Sequence, residues 1–175
     1  MSGSDEALPP PLLGEWACLG ILYGEPAHGW AVAKRLRPDG DIGRIWTLSR
    51  PLTYRSLDQL MARGCLQPIA EEPGVAGPNR TILGATRSGR ARFRSWVVTP
   101  VEHLRDLRSE LLLKLVFAGR IGLDTTELLA AQAVIVDRQA AQLAGRGDPL
   151  DVVDLWRVEA TAAAQRFIAR ASARA

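Results

Sequence analysis

A helix with both of its ends written into it stands in the middle of the chain's first hundred residues. Ser49 can cap the first turn through its side-chain oxygen, Pro51 sits where no backbone donor is needed, and Gly64 supplies a stop after Arg63. Two extended runs follow directly, Cys65 to Glu71 and Arg80 to Ala85, parted by Pro73, Gly74, Gly77 and Pro78. A helix running through a glycine into a two-stranded hairpin leaves few folds open. Upstream, Leu12 to Tyr23 reads as a helix with Trp16, Leu19, Leu22 and Tyr23 on its buried side. Gly24, Glu25 and Pro26 break it, His28 to Leu36 reads as a short second helix, and Arg37 to Gly40 as a turn. Downstream, Ser88 to Val97 is helical, with Phe93, Trp96 and Val97 spaced for one face. Short helices followed by a hairpin is the order of a winged helix-turn-helix: three helices plus a two-stranded wing.

The remainder reads as helix. Val101 to about Arg120 is expected as one long helix. Asp124 opens the next, with Glu127 three residues later completing a capping-box-like start. Its apolar stripe is Leu129, Ala133, Val136, Ala140 and Leu143. A break over Gly145 to Pro149 leads into a last helix striped by Val153, Trp156, Ala160, Ala163 and Phe167. Two heptad stripes on either side of a tight break predict an antiparallel helical hairpin. Such a hairpin has more apolar surface than it can hide alone, so Leu129, Val136, Leu143, Val153, Trp156 and Phe167 are expected to pack on a second copy. The fold class is therefore mainly α. The expected organisation is a flexible leader over residues 1–11, a winged-helix domain over 12–100 and a helical dimerisation domain over 101–175.

Of the 175 residues, 47% are apolar, enough for a normal core and too many for a disordered chain. No apolar run is long enough for a membrane span, and the acidic start, MSGSDEALPPP, is unlike a signal peptide, so a cytoplasmic location is expected. Cys18 and Cys65 sit among apolar neighbours and read as buried thiols. Catalysis has little to stand on. His28 and His103 have no spaced partner, and there is no metal-ligand pair, phosphate loop or nucleophile motif. No enzyme activity, cofactor or metal is expected.

Binding is better supplied. Nine arginines lie between Arg44 and Arg94, against Asp58, Glu71 and Glu72, and no acid occurs between Pro73 and Val101. A basic face lowers the free energy of approach to phosphates. In the third helix Tyr54, Leu57, Leu60 and Met61 are expected inward. Ser49, Thr53, Ser56 and Gln59 are expected outward, flanked by Arg50, Arg55 and Arg63, where they can donate to phosphates and base edges. Asn79 and Arg80 fall at the expected hairpin tip. Trp16, Trp96 and Trp156 are candidates to line an apolar cavity between the winged domain and the tail. The competing reading is a protein-interaction module whose winged helix no longer binds DNA.

Taken in order, Leu19–Trp30 (LGILYGEPAHGW), Ser49–Leu60 (SRPLTYRSLDQL) with Gly64, Thr86–Gly89 (TRSG) with Phe93 and Trp96, and Glu110–Phe117 (ELLLKLVF) resemble the PadR family of winged-helix transcriptional regulators. The length and the helical tail resemble the longer subgroup with an AphA-like dimerisation domain. The resemblance implies a homodimer on a palindromic operator, usually a repressor, released in many members by a hydrophobic or aromatic small molecule. It matches Tyr54 to the family's tyrosine at the start of the recognition helix and Ser49 to its cap. Pro51 and Thr53 depart from the frequent glycine and leucine, and the returning strand Thr81–Gly84 lacks the usual aromatic residue.

Overall fold

The structure, a computed structural model, describes residues 9–73, 79–145 and 151–174. It forms two compact units that divide between Arg94 and Ser95. Among the described residues no helix is long and apolar enough to cross a membrane.

The first unit begins with α1 (Leu13–Gly24), buried along almost its whole length, with Glu15 buried among the apolar residues and Trp16 half-buried. A two-residue strand, β1 (Ala27–His28), precedes α2 (Gly29–Arg35), whose first turn is capped by the His28 ring accepting from the Ala31 N–H. Residues 36–49 then fold back on α2. The Ile42 and Gly43 N–H groups both donate to the Arg35 carbonyl, and the Arg35 guanidinium clasps the Asp41 carboxylate at 2.8 Å. Helix α3 (Arg50–Ala62) starts at the Ser49 cap, and Gly64 leaves it at φ 65°, in the left-handed region open to glycine. Strands β2 (Leu66–Glu72) and β3 (Arg80–Ala85) are antiparallel neighbours, and β1 adds to the other edge of β3, giving the order β1-β3-β2.

The connection Gly74–Pro78 expected at the wing tip lies outside the described residues. Pro68 pairs with Leu83 and Ala70 with Ile82, so Ile69 is the extra residue of a bulge. Its side chain lies over Gly84, with carbons 3.3 Å from where a Cβ there would stand. This glycine-and-isoleucine pairing occupies the part of the wing where the aromatic residue is missing. Helix α4 (Arg87–Val97) follows β3, with Phe93, Trp96 and Val97 buried, and the division between the units falls within it.

The second unit departs from the expected single helix over Val101–Arg120. The buried Gln132 amide accepts from the Val101 N–H and donates to the Val101 carbonyl, both at 2.8 Å, and so occupies the backbone groups that a helix at Val101 would use. A 3-10 turn (Leu104–Asp106) and a π turn (Leu107–Leu111) follow before α5 (Leu112–Arg120). Helix α6 (Thr126–Ala144) is capped from Asp124, whose Oδ1 accepts from the Thr126 N–H and hydroxyl. Those bonds hold the Asp124 carboxyl below its ordinary value. This replaces the expected start at Asp124 with its Glu127 box. The break expected at Gly145–Pro149 lies, beyond Gly145, outside the described residues.

Helix α7 (Val152–Ser172) returns antiparallel to α6: Thr125 and Leu129 line the same groove as Ala171, and Asp137 accepts from Gln165 at 2.7 Å. The apolar stripes do not behave alike. Leu129 and Val136 are buried with Ile168 inside the unit, so the expectation that they meet a second copy is corrected. On α7 a second series, Thr161, Ala164, Ile168 and Ala171, turns inward, and Val153, Trp156 and Phe167 face out.

Candidate nucleic-acid interface

The rotation of α3 is set by its first turn. Ser49 is in extended backbone, its Oγ accepts from the Leu52 N–H at 3.5 Å, and its carbonyl accepts both the Thr53 N–H and the Thr53 hydroxyl. Counting from there, Thr53, Leu57 and Leu60 line the core and are fully or almost fully buried. Thr53 therefore cannot reach a base edge, against the expectation for it. Its hydroxyl is consumed by its own helix, a bond common for threonine at that spacing. Ser56 is also turned aside: it is half-buried and hydrogen-bonds the Cys18 thiol on α1. Burial, then the Glu15 carboxylate, push that thiol up to about 12 against the opposing Ser56 bond. Burial likewise raises Cys65.

Tyr54, expected inward, stands at the edge of the face with 38% of its surface exposed. A Cβ on Gly29 would lie 2.8 Å from the Tyr54 ring, so the missing side chain is what lets α2 and α3 meet there. The Arg50 guanidinium sits 5.7 Å from the same ring.

The solvent face of α3 is made by Pro51, Leu52, Arg55, Asp58, Gln59 and Ala62. Arg55 and Gln59 stand where the sequence places them. Asp58 was missed, although its spacing from Arg55 and Ala62 was sufficient signal. Arg63, expected to flank the face, is turned in. Its Nε lies 3.2 Å from Glu15 Oε2, with both side chains about 95% buried, and its Nη1 donates to the Pro9 carbonyl at 2.6 Å.

The basic patch is smaller than its arginine count suggests. Arg90 donates to the Tyr23 carbonyl and lies over the Tyr23 ring, and Arg94 donates to the Tyr23 hydroxyl. Both hold α4 to α1. Arg44, Arg80, Arg87 and Arg92 remain exposed, and Arg80 sits directly opposite Glu72 in the sheet register. Asn79 and Arg80 are exposed at the start of β3.

The three tryptophans proposed for an effector cavity do not share one role. Trp96 is buried, donating to Glu110 with Lys114 beside its ring, and Trp156 is 60% exposed. The second unit does carry an open groove of about 1160 Å³, lined by Leu115, Leu123, Leu129, Phe167 and Arg170 among others, and by none of the three.

Compared with solved structures, the chain is similar to Bacillus subtilis PadR in complex with operator DNA, at 15% identity over 93% of this chain and 99% of that one, with a TM-score of 0.50. The chain has the PadR fold. A Streptococcus mutans structure, smu.1604c, also matches at 15% identity over 93% of this chain and 99% of that one, TM-score 0.47. So does the PadR-like transcriptional regulator BC1756 from Bacillus cereus, at 19% identity over 98% and 99%, TM-score 0.42. No family model and no curated protein matches the chain.

Proposed function

We propose that this chain is a DNA-binding transcriptional regulator of the PadR kind, a repressor that binds a palindromic operator as a homodimer. The observation that carries the reading is the solvent face of α3, where Arg55 and Gln59 project from a helix whose opposite side is locked into the core through Thr53, Leu57 and Leu60. A rigid helix with donors on its free face can enter a major groove, and a wing beside it can lie on the backbone. Bacillus subtilis PadR forms a complex with operator DNA, which supports the same use of the fold here. Arg50, Arg55 and Arg80 neutralise phosphates; Gln59 touches a base; Ser49, Tyr54 and Asn79 support or extend the contact. The outward apolar residues Val153, Trp156 and Phe167 of α7 supply the surface for a second copy, which would set the two α3 helices about 34 Å apart. Release by a small hydrophobic or aromatic molecule belongs to the same reading.

A mobility shift with the DNA upstream of the protein's own gene tests it. The wild-type chain should retard that fragment at low salt. Arg55→Ala should weaken binding to all sequences by roughly tenfold while leaving the melting temperature unchanged. Failure of the wild-type chain to retard any upstream fragment overturns the reading.

A further inference from the structure

An acid in the middle of a surface that meets phosphates costs affinity for every sequence unless it is used to choose among them. Asp58 is such an acid. It lies one helical turn from both Arg55 and Ala62 on the solvent face of α3, opposite the buried Thr53, Leu57 and Leu60. Its carboxylate makes no ion pair or hydrogen bond among the described residues, and neither does the guanidinium of Arg55, three residues before it. Asp58 is therefore neither a cap nor a brace for Arg55. A carboxylate has acceptors only, and the exposed base-edge donors of the major groove are the amino groups of cytosine and adenine. Where it meets guanine or thymine in their place, it faces only acceptors or a methyl group and leaves a desolvated charge unpaired.

We infer that Asp58 is a specificity-determining residue that accepts a hydrogen bond from the exocyclic amino group of a cytosine in each half-site. This rests on the DNA-binding reading above. The gain is selectivity: the carboxylate repels phosphates on every duplex and is compensated only where the amino group is in place.

Binding-site enrichment from a random duplex library, run with the wild-type chain and with Asp58→Asn and Asp58→Ala, tests this. Thermal melts first establish that the variants fold, as expected at an exposed position. The wild-type chain should enrich a site with cytosine at one position of each half. Asp58→Asn should move that position toward adenine, because an amide can pair with both N6 and N7 of adenine. Asp58→Ala should lose preference there, with discrimination falling about tenfold and the other positions unchanged. If both variants enrich the wild-type site and merely bind all sequences more tightly, Asp58 acts as a bare charge and the inference fails while DNA binding stands. If the wild-type chain enriches nothing, the DNA-binding reading fails and takes this one with it.

Discussion

Arg63 and Glu15 join the end of α3 to the first turn of α1 by an ion pair that is almost entirely out of water, Nε to Oε2 3.2 Å, with no aligned hydrogen bond between those two atoms. Two charges in that setting are costly to bury and more costly to separate. Glu15→Ala leaves the Arg63 charge buried without its partner and should lower unfolding stability by about 3 kcal/mol. The double variant Glu15→Leu, Arg63→Met should recover most of that loss. Urea unfolding followed by tryptophan fluorescence measures both, and a double variant no more stable than the single would contradict the assignment.

Lys114 carries a pH dependence. Its Nζ lies 2.7 Å from Glu110 Oε1, donates to the Thr99 carbonyl at 2.7 Å, and stands 5.1 Å from the Trp96 ring centre. Burial lowers its pKa from the ordinary 10.5, and Glu110 only partly offsets this. Between the lowered value and 10.5 the unfolded chain binds more protons than the folded one, so this group's contribution to stability rises with pH across that window. The difference in unfolding free energy between wild type and Lys114→Met should therefore shift in favour of wild type as pH is raised toward 10.5. A pH-independent difference would show that Lys114 is not desolvated.

Cys18 works in the opposite sense. A thiol held up to about 12 contributes stability below the unfolded value of 9.0 and loses it as pH rises above 9.0. Native protein should react with a thiol reagent only through opening of the fold, at rates that climb steeply with urea. Rapid labelling of both cysteines at neutral pH would contradict their burial.

Gly89 touches the backbone. A Cβ there would sit 2.1 Å from the Cys65 carbonyl oxygen, at the junction of the wing with α4. Gly89→Ala must push the two apart and should cost roughly 1–3 kcal/mol. An unchanged denaturation midpoint would rule out that close approach.

The outer face of α7 gives an assembly prediction. If, as proposed, this face meets a second copy, the wild-type chain should sediment as a dimer at micromolar concentration and Trp156→Glu as a monomer, with the helix content of the second unit retained because 60% of that side chain is already exposed. An unaltered sedimentation coefficient would move the interface elsewhere.

The helix ends and strands of the first unit could be read in the chain because each has a local cause. Ser49 caps α3, Gly64 ends it, and the expected strand Arg80–Ala85 lies where β3 does. The two-residue β1 was missed because Ala27 and His28 are extended only by pairing with Leu83 and Ile82, more than fifty residues away. The irregular stretch after Pro100 was missed for a similar reason, since Gln132 holds Val101 from another helix. Periodicity shows which residues share a face but not which face finds a partner. On α3 this put Thr53 outside when it is inside. On the alanine-rich α7, two stripes of similar spacing competed, and the smaller residues turned toward α6.

The salt dependence of binding to the upstream DNA, measured for wild type and for the double variant Arg50→Ala, Arg55→Ala, tests the role of α3 most directly. The logarithm of the binding constant should fall linearly with the logarithm of salt concentration, and the double variant should have a slope shallower by about 2. A slope that the two substitutions leave unchanged would mean that this face of α3 does not meet the duplex.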